Sequence, residues 1–496
     1  MPPQATFLFK HALVQDTAYS MLLRGPRQAL HARIARALEL RFSNVVEMQP
    51  EILAHHFTEA HLSEKAITYW LNAGQQAVAK SAVREAVGHL RKGLALIADL
   101  PDSLERKRRE LDLQVTLGGA LQAAKGYSHP EVFEAFGRAR ELIGETGGAG
   151  TPHGFSVLWG LCIGNYVGAD SYAALEQARE YLSIAQSQTE TGPLVIGHRL
   201  LGTSLMINGD YPAALSHLER AVSLCTPEEH QTLAFQFGQD NRVSALCYWS
   251  MALWHRGYPD QANKAAGEAL QYAKQCGNAY TVSYALFFNA MTAIFERRTA
   301  KVEKFTGQLL AVSNEHGFAF WLGVGQVLQG WAIAQRESGA AAVEHIREGL
   351  STHTATGARY FEPFCLRLLA EALALAGATE EGLMLVSQAL AAADATGQMG
   401  TNAELHRLRG DLLSRLPSPN WTEVEACLRT ALAVAREQGT RGFELRAAVG
   451  LASLLHDQGR RHDAHDLLAS VYGSFTEGFD TPDFKEAKAL LEALDA

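Results

Sequence analysis

Three groups of residues have the types and spacing to do chemistry. Glu51, His55 and Glu59 in EILAHHFTEA recur at steps of four, which puts three potential metal ligands on one helix face. The zincin pattern HExxH is not met, and Ile52, Leu53 and Phe57 equally suit the packed side of a structural helix, which is the reading preferred here. His456, His462 and His465 surround Gly459 together with Asp457, Asp463 and Asp466; such a turn reads as solvated rather than metal-binding. GVGQVLQG, from Gly323 to Gly330, resembles a dinucleotide loop, but it lacks the strand that should precede one, so its glycines are expected to let helices approach closely. The nucleophile elbow GxSxG and the phosphate loop GxxxxGK[ST] are both absent from the sequence. No catalytic residue, cofactor or metal site is therefore assigned, and the chain is read as a non-enzyme.

A band of aromatics points to binding instead. Tyr248, Trp249 and Trp254 begin it, and Tyr280, Tyr284, Phe287, Phe288, Phe320, Trp321 and Trp331 continue it. Most large aromatics serve cores, but a minority facing a groove would anchor a peptide or small ligand. The residues expected on such a face are Trp249, Arg256, Tyr284, Phe288 and Trp321; Arg242, Arg297 and Arg298 would complement an acidic group nearby.

The elements that must position these residues are set by glycine. Gly277, Gly317, Gly357 and Gly397 stand 40 residues apart, and Gly439 follows after 42. A second punctuation falls within the units, at Gly257, Gly339, Gly377 and Gly459. Between these marks apolar residues keep helical spacing, as in Leu366, Leu369, Leu373 and Ala376, then Leu383, Val386, Leu390 and Ala393. A repeat of helix, short turn, helix, longer turn follows. One such pair cannot cover its own apolar stripe, so pairs must stack. The expected fold is all-α, a right-handed α-α superhelix of tetratricopeptide-like units. Looser copies run from Tyr166, around Gly209 and across Glu64–Leu100. A Gly/Thr-rich joint at 144–154 suggests a boundary, and the connector at 225–242 is expected to lay Phe235 and Phe237 over a groove or an adjacent pair.

Composition narrows the class. Of 496 residues, 47% are hydrophobic and 20% charged, which suits a folded chain, and the formal charge of -9 gives no general nucleic-acid footprint. The densest basic run, Arg106 to Arg109, is flanked by Glu105 and Glu110 and reads as a solvated helix start. The six cysteines include no CxxC pair and sit mostly in apolar stretches, which fits a reducing compartment. With no signal-peptide pattern and no membrane-length apolar run, a cytoplasmic protein is expected.

The phrases FKHALVQDTAYSMLL, HHFTEAHLSEKAITYW, TPEEHQTLAFQFGQD and ALWHRGYPDQA resemble the C-terminal region of bacterial proteins that join a class III adenylate/guanylate cyclase to an AAA-type ATPase and a tetratricopeptide-like tail. The resemblance covers essentially the whole chain. It implies 1–50 as the end of an ATPase module or linker, 51–145 as N-terminal helical repeats and 155–496 as the superhelix. It also implies a regulatory role in signal transduction, with a protein or peptide partner that includes the cyclase/ATPase module in cis or in trans. A small-molecule sensor is the alternative, and a metal-dependent enzyme the least favoured.

Overall fold

The structure, a computed structural model, describes Tyr19 and residues 21–80, 82–225, 240–337 and 339–495. Every regular element among the described residues is helical. The chain divides into two compact units, Met1–Gly160 and Leu161–Ala496.

Unit 1 contains α1 (Arg24–Arg41), α2 (Ser43–Met48), α3 (Pro50–Glu59), α4 (Ser63–Ala79), α5 (Val83–Ala95), α6 (Leu104–Lys125) and α7 (Pro130–Thr146). Its first core joins Ala35 to Leu53, Ala54, Phe57, Ala66 and Trp70. Of the histidines of EILAHHFTEA, His56 is half-buried and hydrogen-bonded to His31, and His55 is exposed. His55 sits ring against ring with His31 and His56, and Glu59 accepts a 3.3 Å hydrogen bond from Tyr19. The basic run opens α6, where Ser103 caps the helix, Lys107 pairs with Glu145 and Arg109 with Glu105.

Helix α8 (Pro152–Val167) is followed by α9 (Ser171–Gln186). The repeats of unit 2 are then α10 (Thr191–Ile207) with α11 (Tyr211–Leu224), α12 (Asn241–His255) with α13 (Pro259–Cys276), and α14 (Ala279–Phe295) with α15 (Thr299–His316). Next come α16 (Ala319–Arg336) with α17 (Ala340–Ala355), α18 (Glu362–Leu375) with α19 (Thr379–Thr396), and α20 (Asn402–Ser414) with α21 (Trp421–Gln438). The series ends with α22 (Arg441–Asp457), α23 (Arg461–Tyr472) and α24 (Pro482–Asp495). This is the tetratricopeptide-like helical superhelix expected from the 40-residue register. Gly277, Gly317, Gly397 and Gly439 each end a helix in the left-handed conformation, where a side chain would be strained. At the turn between α14 and α15 the same conformation is taken by Arg297, with φ of 56°, so one joint lacks its glycine mark.

The glycines of GVGQVLQG do let helices close. A Cβ on Gly323 would lie 2.6 Å from the backbone nitrogen of His353, and one on Gly330 2.5 Å from Ile346. None of the six cysteines forms a disulfide, and Cys276 is the one of the six that is exposed. No described helix is long and apolar enough to cross a membrane. Phe235 and Phe237 lie outside the described residues.

Unit 2 winds far enough for distant repeats to touch. The end of α12 meets the α21–α22 junction, where His255 Nδ1 lies 2.9 Å from Thr440 Oγ1 and Trp254 packs on Phe443 at 5.3 Å. The segment before α24 reaches the start of α13, where Glu477 accepts hydrogen bonds from the backbone N–H groups of Asp260 and Gln261 at 2.9 and 3.1 Å. A carboxylate at a helix N-terminus satisfies donors the helix itself cannot.

Candidate ligand groove

The five residues expected on an open aromatic face do not form one. Tyr284, Phe288 and Trp321 are 6%, 1% and 3% exposed. Arg256 donates through Nη1 to the carbonyl of Gly439 at 2.6 Å, clamping two repeats together. Trp249 and Arg256 are half-buried. The physical reason is a loop from the same chain. Between α17 and α18, the N–H groups of Arg359 and Tyr360 both donate to the carbonyl of Val167 at 2.9 and 3.1 Å. The Tyr360 hydroxyl lies 3.2 Å from that of Tyr248, and the Phe361 ring packs on Phe287 and Phe288 at 5.1 and 6.5 Å. His353 and Gln398 hold the loop, His353 Nε2 at 3.0 Å from the Tyr360 carbonyl and Gln398 accepting from the Phe361 N–H at 3.0 Å. Phe361 adopts φ of 67°, a left-handed conformation costing a residue with a side chain about 1 kcal/mol, which its aromatic packing must exceed. At its far end the aromatic band lines a second cavity through Trp331, but around Tyr248, Phe287 and Phe288 it is covered by Tyr360 and Phe361 and serves as core. A small apolar cavity of about 60 Å³ remains beside it, between Met251, His255, Met291, Phe295 and Phe364.

A larger cavity, about 510 Å³, lies further along unit 2. It is walled by residues of α14, α16, α18, α20 and α22, the first helices of successive repeats, together with α21 and the final helix α24. Its chemistry comes from arginines at the repeat pitch. Arg367, Arg407 and Arg446 stand 40 and 39 residues apart, so each falls at the same place on its helix.

Each guanidinium has a carboxylate. Arg407 donates through Nε and Nη2 to the two oxygens of Glu404 at 2.9 and 3.0 Å. Arg446 donates through the same pair of nitrogens to Asp483 at 3.0 and 2.9 Å and also binds the carbonyl of Phe295. Arg367 binds Glu371 through Nη1, and the other oxygen of Glu371 accepts from Trp331 Nε1 at 2.6 Å. Arg367 is 2% exposed, yet its buried Nε and Nη2 have no hydrogen-bond partner among the described residues. Burial alone would raise the carboxyl of Glu404, but Arg407, Arg446 and Arg367 overrule it and hold that group at about 2. Farther along the wall, Arg297 pairs with Asp483 at 3.2 Å and with Glu486 at 2.7 Å. Trp421, half exposed, stands on α21 at the cavity wall.

The geometry suits binding. Among the described residues, no group of three or more His, Cys, Asp or Glu is placed to hold a metal ion. Near Gly459, His462 and His465 instead make surface pairs with Asp466, at 3.3 and 3.5 Å. Sequence reading missed Arg367, Glu371, Glu404, Arg407 and Arg446. Their signal was present as charged residues inside apolar helices at the unit pitch, in CLRLLAEAL, ELHRLRGDLL and FELRAAVG.

No family model matches the chain. An uncharacterized protein of Rhizobium meliloti (strain 1021) is 24% identical over 456 residues, which cover 92% of this chain and 44% of that protein. The chain thus spans less than half the length of that relative. Among solved structures, the Rap protein complexed with Competence and Sporulation Factor superposes with a TM-score of 0.54 at 11% identity, covering 76% of this chain and 99% of that one. That likeness supports the fold. The apo form of the quorum sensor NprR from B. thuringiensis matches with a TM-score of 0.42 at 13% identity, covering 74% of this chain and 98% of that chain.

Proposed function

We propose that unit 2 is a non-catalytic binding module whose arginine-lined groove receives a charged segment of a protein or peptide partner. The observation carrying this reading is a cavity of about 510 Å³ into which regularly spaced arginines, their carboxylates and two tryptophans converge. That volume falls within the range of small-ligand sites, so a compact molecule bearing the same charges is the second reading. The Rap protein, whose fold is similar, was solved with a factor bound, which makes a binding role a reasonable use of this architecture. The wider context we propose is a regulatory, cytoplasmic tail in a cyclase/ATPase-type signalling protein, with the upstream module as the partner in cis or in trans. The greater length of the Rhizobium meliloti relative leaves room for such modules.

A peptide array probed with the full chain tests the reading, with hits confirmed by calorimetry. Binding should weaken about tenfold in Trp421→Ala and in Asp457→Lys, both at the groove wall. Hits that bind both variants as well as the parent would place recognition elsewhere and reject the groove.

A further inference from the structure

We propose that the groove's ligand presents a basic side chain, a lysine or arginine of the partner's segment, to the end of the cavity walled by Trp421 and Asp457. The inference rests on the groove being the binding site and adds the sign of the charge it receives. The charge balance of the wall and the direction of its helices both point there.

Five guanidinium groups and six carboxylates line the cavity. Every guanidinium has a carboxylate of the chain, Arg297 taking Glu486 and Arg415 taking Asp411. The sixth carboxylate, Asp457, is exposed, and its side chain makes no hydrogen bond or ion pair among the described residues. The wall thus keeps one uncompensated negative charge, which repels an anion and attracts a cation.

Helix direction adds to that charge. Ile294, Gln335, Leu375, Ser414 and Asp457 belong to the last turns of α14, α16, α18, α20 and α22 in that order, and all five line the cavity. A helix C-terminus carries partial negative charge and favours a cation beside its last turn. The N-terminal ends of α21 and α24 also reach the wall, but Asn420 caps the first and Asp483 stands in the first turn of the second.

Trp421 completes the site. Helices α21 and α22 run antiparallel about Gly439 and pack Leu428 on Gly450, where a Cβ would lie 3.1 Å from Leu428 Cδ2. About two turns outward on each helix stand Trp421 and Asp457, which therefore lie level with one another. The Trp421 ring is half exposed and meets no other ring or cation among the described residues. A tryptophan face beside a carboxylate suits an ammonium or guanidinium head.

The test uses the full chain with ¹⁵N-labelled tryptophan, titrated at constant ionic strength with four blocked alanine pentapeptides whose central residue is lysine, arginine, glutamine or glutamate. The Trp421 indole resonance, assigned by its loss in Trp421→Leu, should shift and saturate with the lysine and arginine peptides. It should need about tenfold more of the glutamine peptide and ignore the glutamate peptide. Asp457→Asn should weaken the lysine peptide about fourfold and leave the glutamine peptide within about 1.5-fold. Glu380→Gln, the same loss of charge at an exposed site outside the cavity, should leave the lysine peptide within about 1.5-fold. A glutamate peptide that binds as tightly as the lysine peptide overturns the proposal. So does a Trp421 resonance that no basic peptide moves, or an Asp457→Asn variant that binds the lysine peptide unchanged. Butylamine carries the same head without a backbone and should need about tenfold more; equal binding would overturn the assignment to a protein segment. The two claims separate. Array hits that are acidic, weakened by Trp421→Ala and indifferent to Asp457→Asn sink the basic ligand and leave the groove; hits indifferent to both Trp421→Ala and Asp457→Lys sink the groove itself.

Discussion

The inner faces of unit 2 differ sharply along its length. From α8 to α14 they are aromatic and packed against Tyr360 and Phe361 of the chain itself. From α16 to α24 they carry arginine–carboxylate pairs around a cavity of about 510 Å³. One repeat architecture thus makes a core at one end and a groove at the other. What decides between them is whether another part of the chain reaches the face. The loop between α17 and α18 closes the aromatic half, and nothing among the described residues fills the charged half.

If Tyr360 and Phe361 are core, removing one of these rings should be the costliest change. Phe361→Ala is expected to destabilise by about 3 kcal/mol in urea denaturation, through lost contacts with Phe287 and Phe364. A loss below about 1 kcal/mol would mean that the loop only rests on the aromatic face.

The charged half should respond mainly to pH. The surrounding arginines hold the Glu404 carboxyl at about 2, below the ordinary carboxylate range, so it contributes stability above that range that is lost as pH falls through about 2. Glu404→Gln leaves Arg407 and Arg446 without their shared partner and should cost about 3 kcal/mol at pH 7, with a flatter acid limb in thermal melts. Equal acid limbs in the two proteins would contradict this.

At the seam where α14 meets the C-terminal segment the sign reverses. Glu296 is fully buried, and burial outweighs Lys301, Arg298 and Asn263 to raise its carboxyl to about 7. Its stabilising contribution is present below the ordinary carboxylate value and disappears as pH rises through about 7. Glu296→Gln, a mimic of the protonated form, should therefore remove about 2 kcal/mol of the stability change between pH 5 and pH 8. Parallel pH profiles for variant and parent would show that Glu296 is not the titrating group. The smallest effect is expected on the outer surface, where Arg347→Ala breaks an exposed pair with Glu381 and should change stability by less than about 0.5 kcal/mol.

The repeat register was legible because its cause is local. A helix that must stop and reverse needs a left-handed residue at its end, and glycine supplies it at Gly277, Gly317, Gly397 and Gly439. Arg297 does the same without that mark, so its joint could not be read. The aromatic band falls on α12, α14 and α16, but Tyr284, Phe288 and Trp321 within it are buried and do not face a groove. Periodicity reports which side of a helix is apolar; it does not report that a loop more than a hundred residues later in the chain will cover Tyr248. The groove failed for the opposite reason. Charged residues at helical spacing ordinarily mark a solvent face, so Arg367, Arg407 and Arg446 carried no weight until their common 40-residue pitch was placed on a stack of helices.

The contrast between a closed aromatic half and an open charged half can be read directly by oxidative footprinting of tryptophan, with and without a peptide that binds the chain. Trp421, half exposed at the groove, should be oxidised in the free protein and protected by the peptide, while Trp254 and Trp321, buried at 4% and 3%, stay unmodified in both states. Oxidation of Trp321 in the free protein, or protection by the peptide at Trp321 but not at Trp421, would contradict the account.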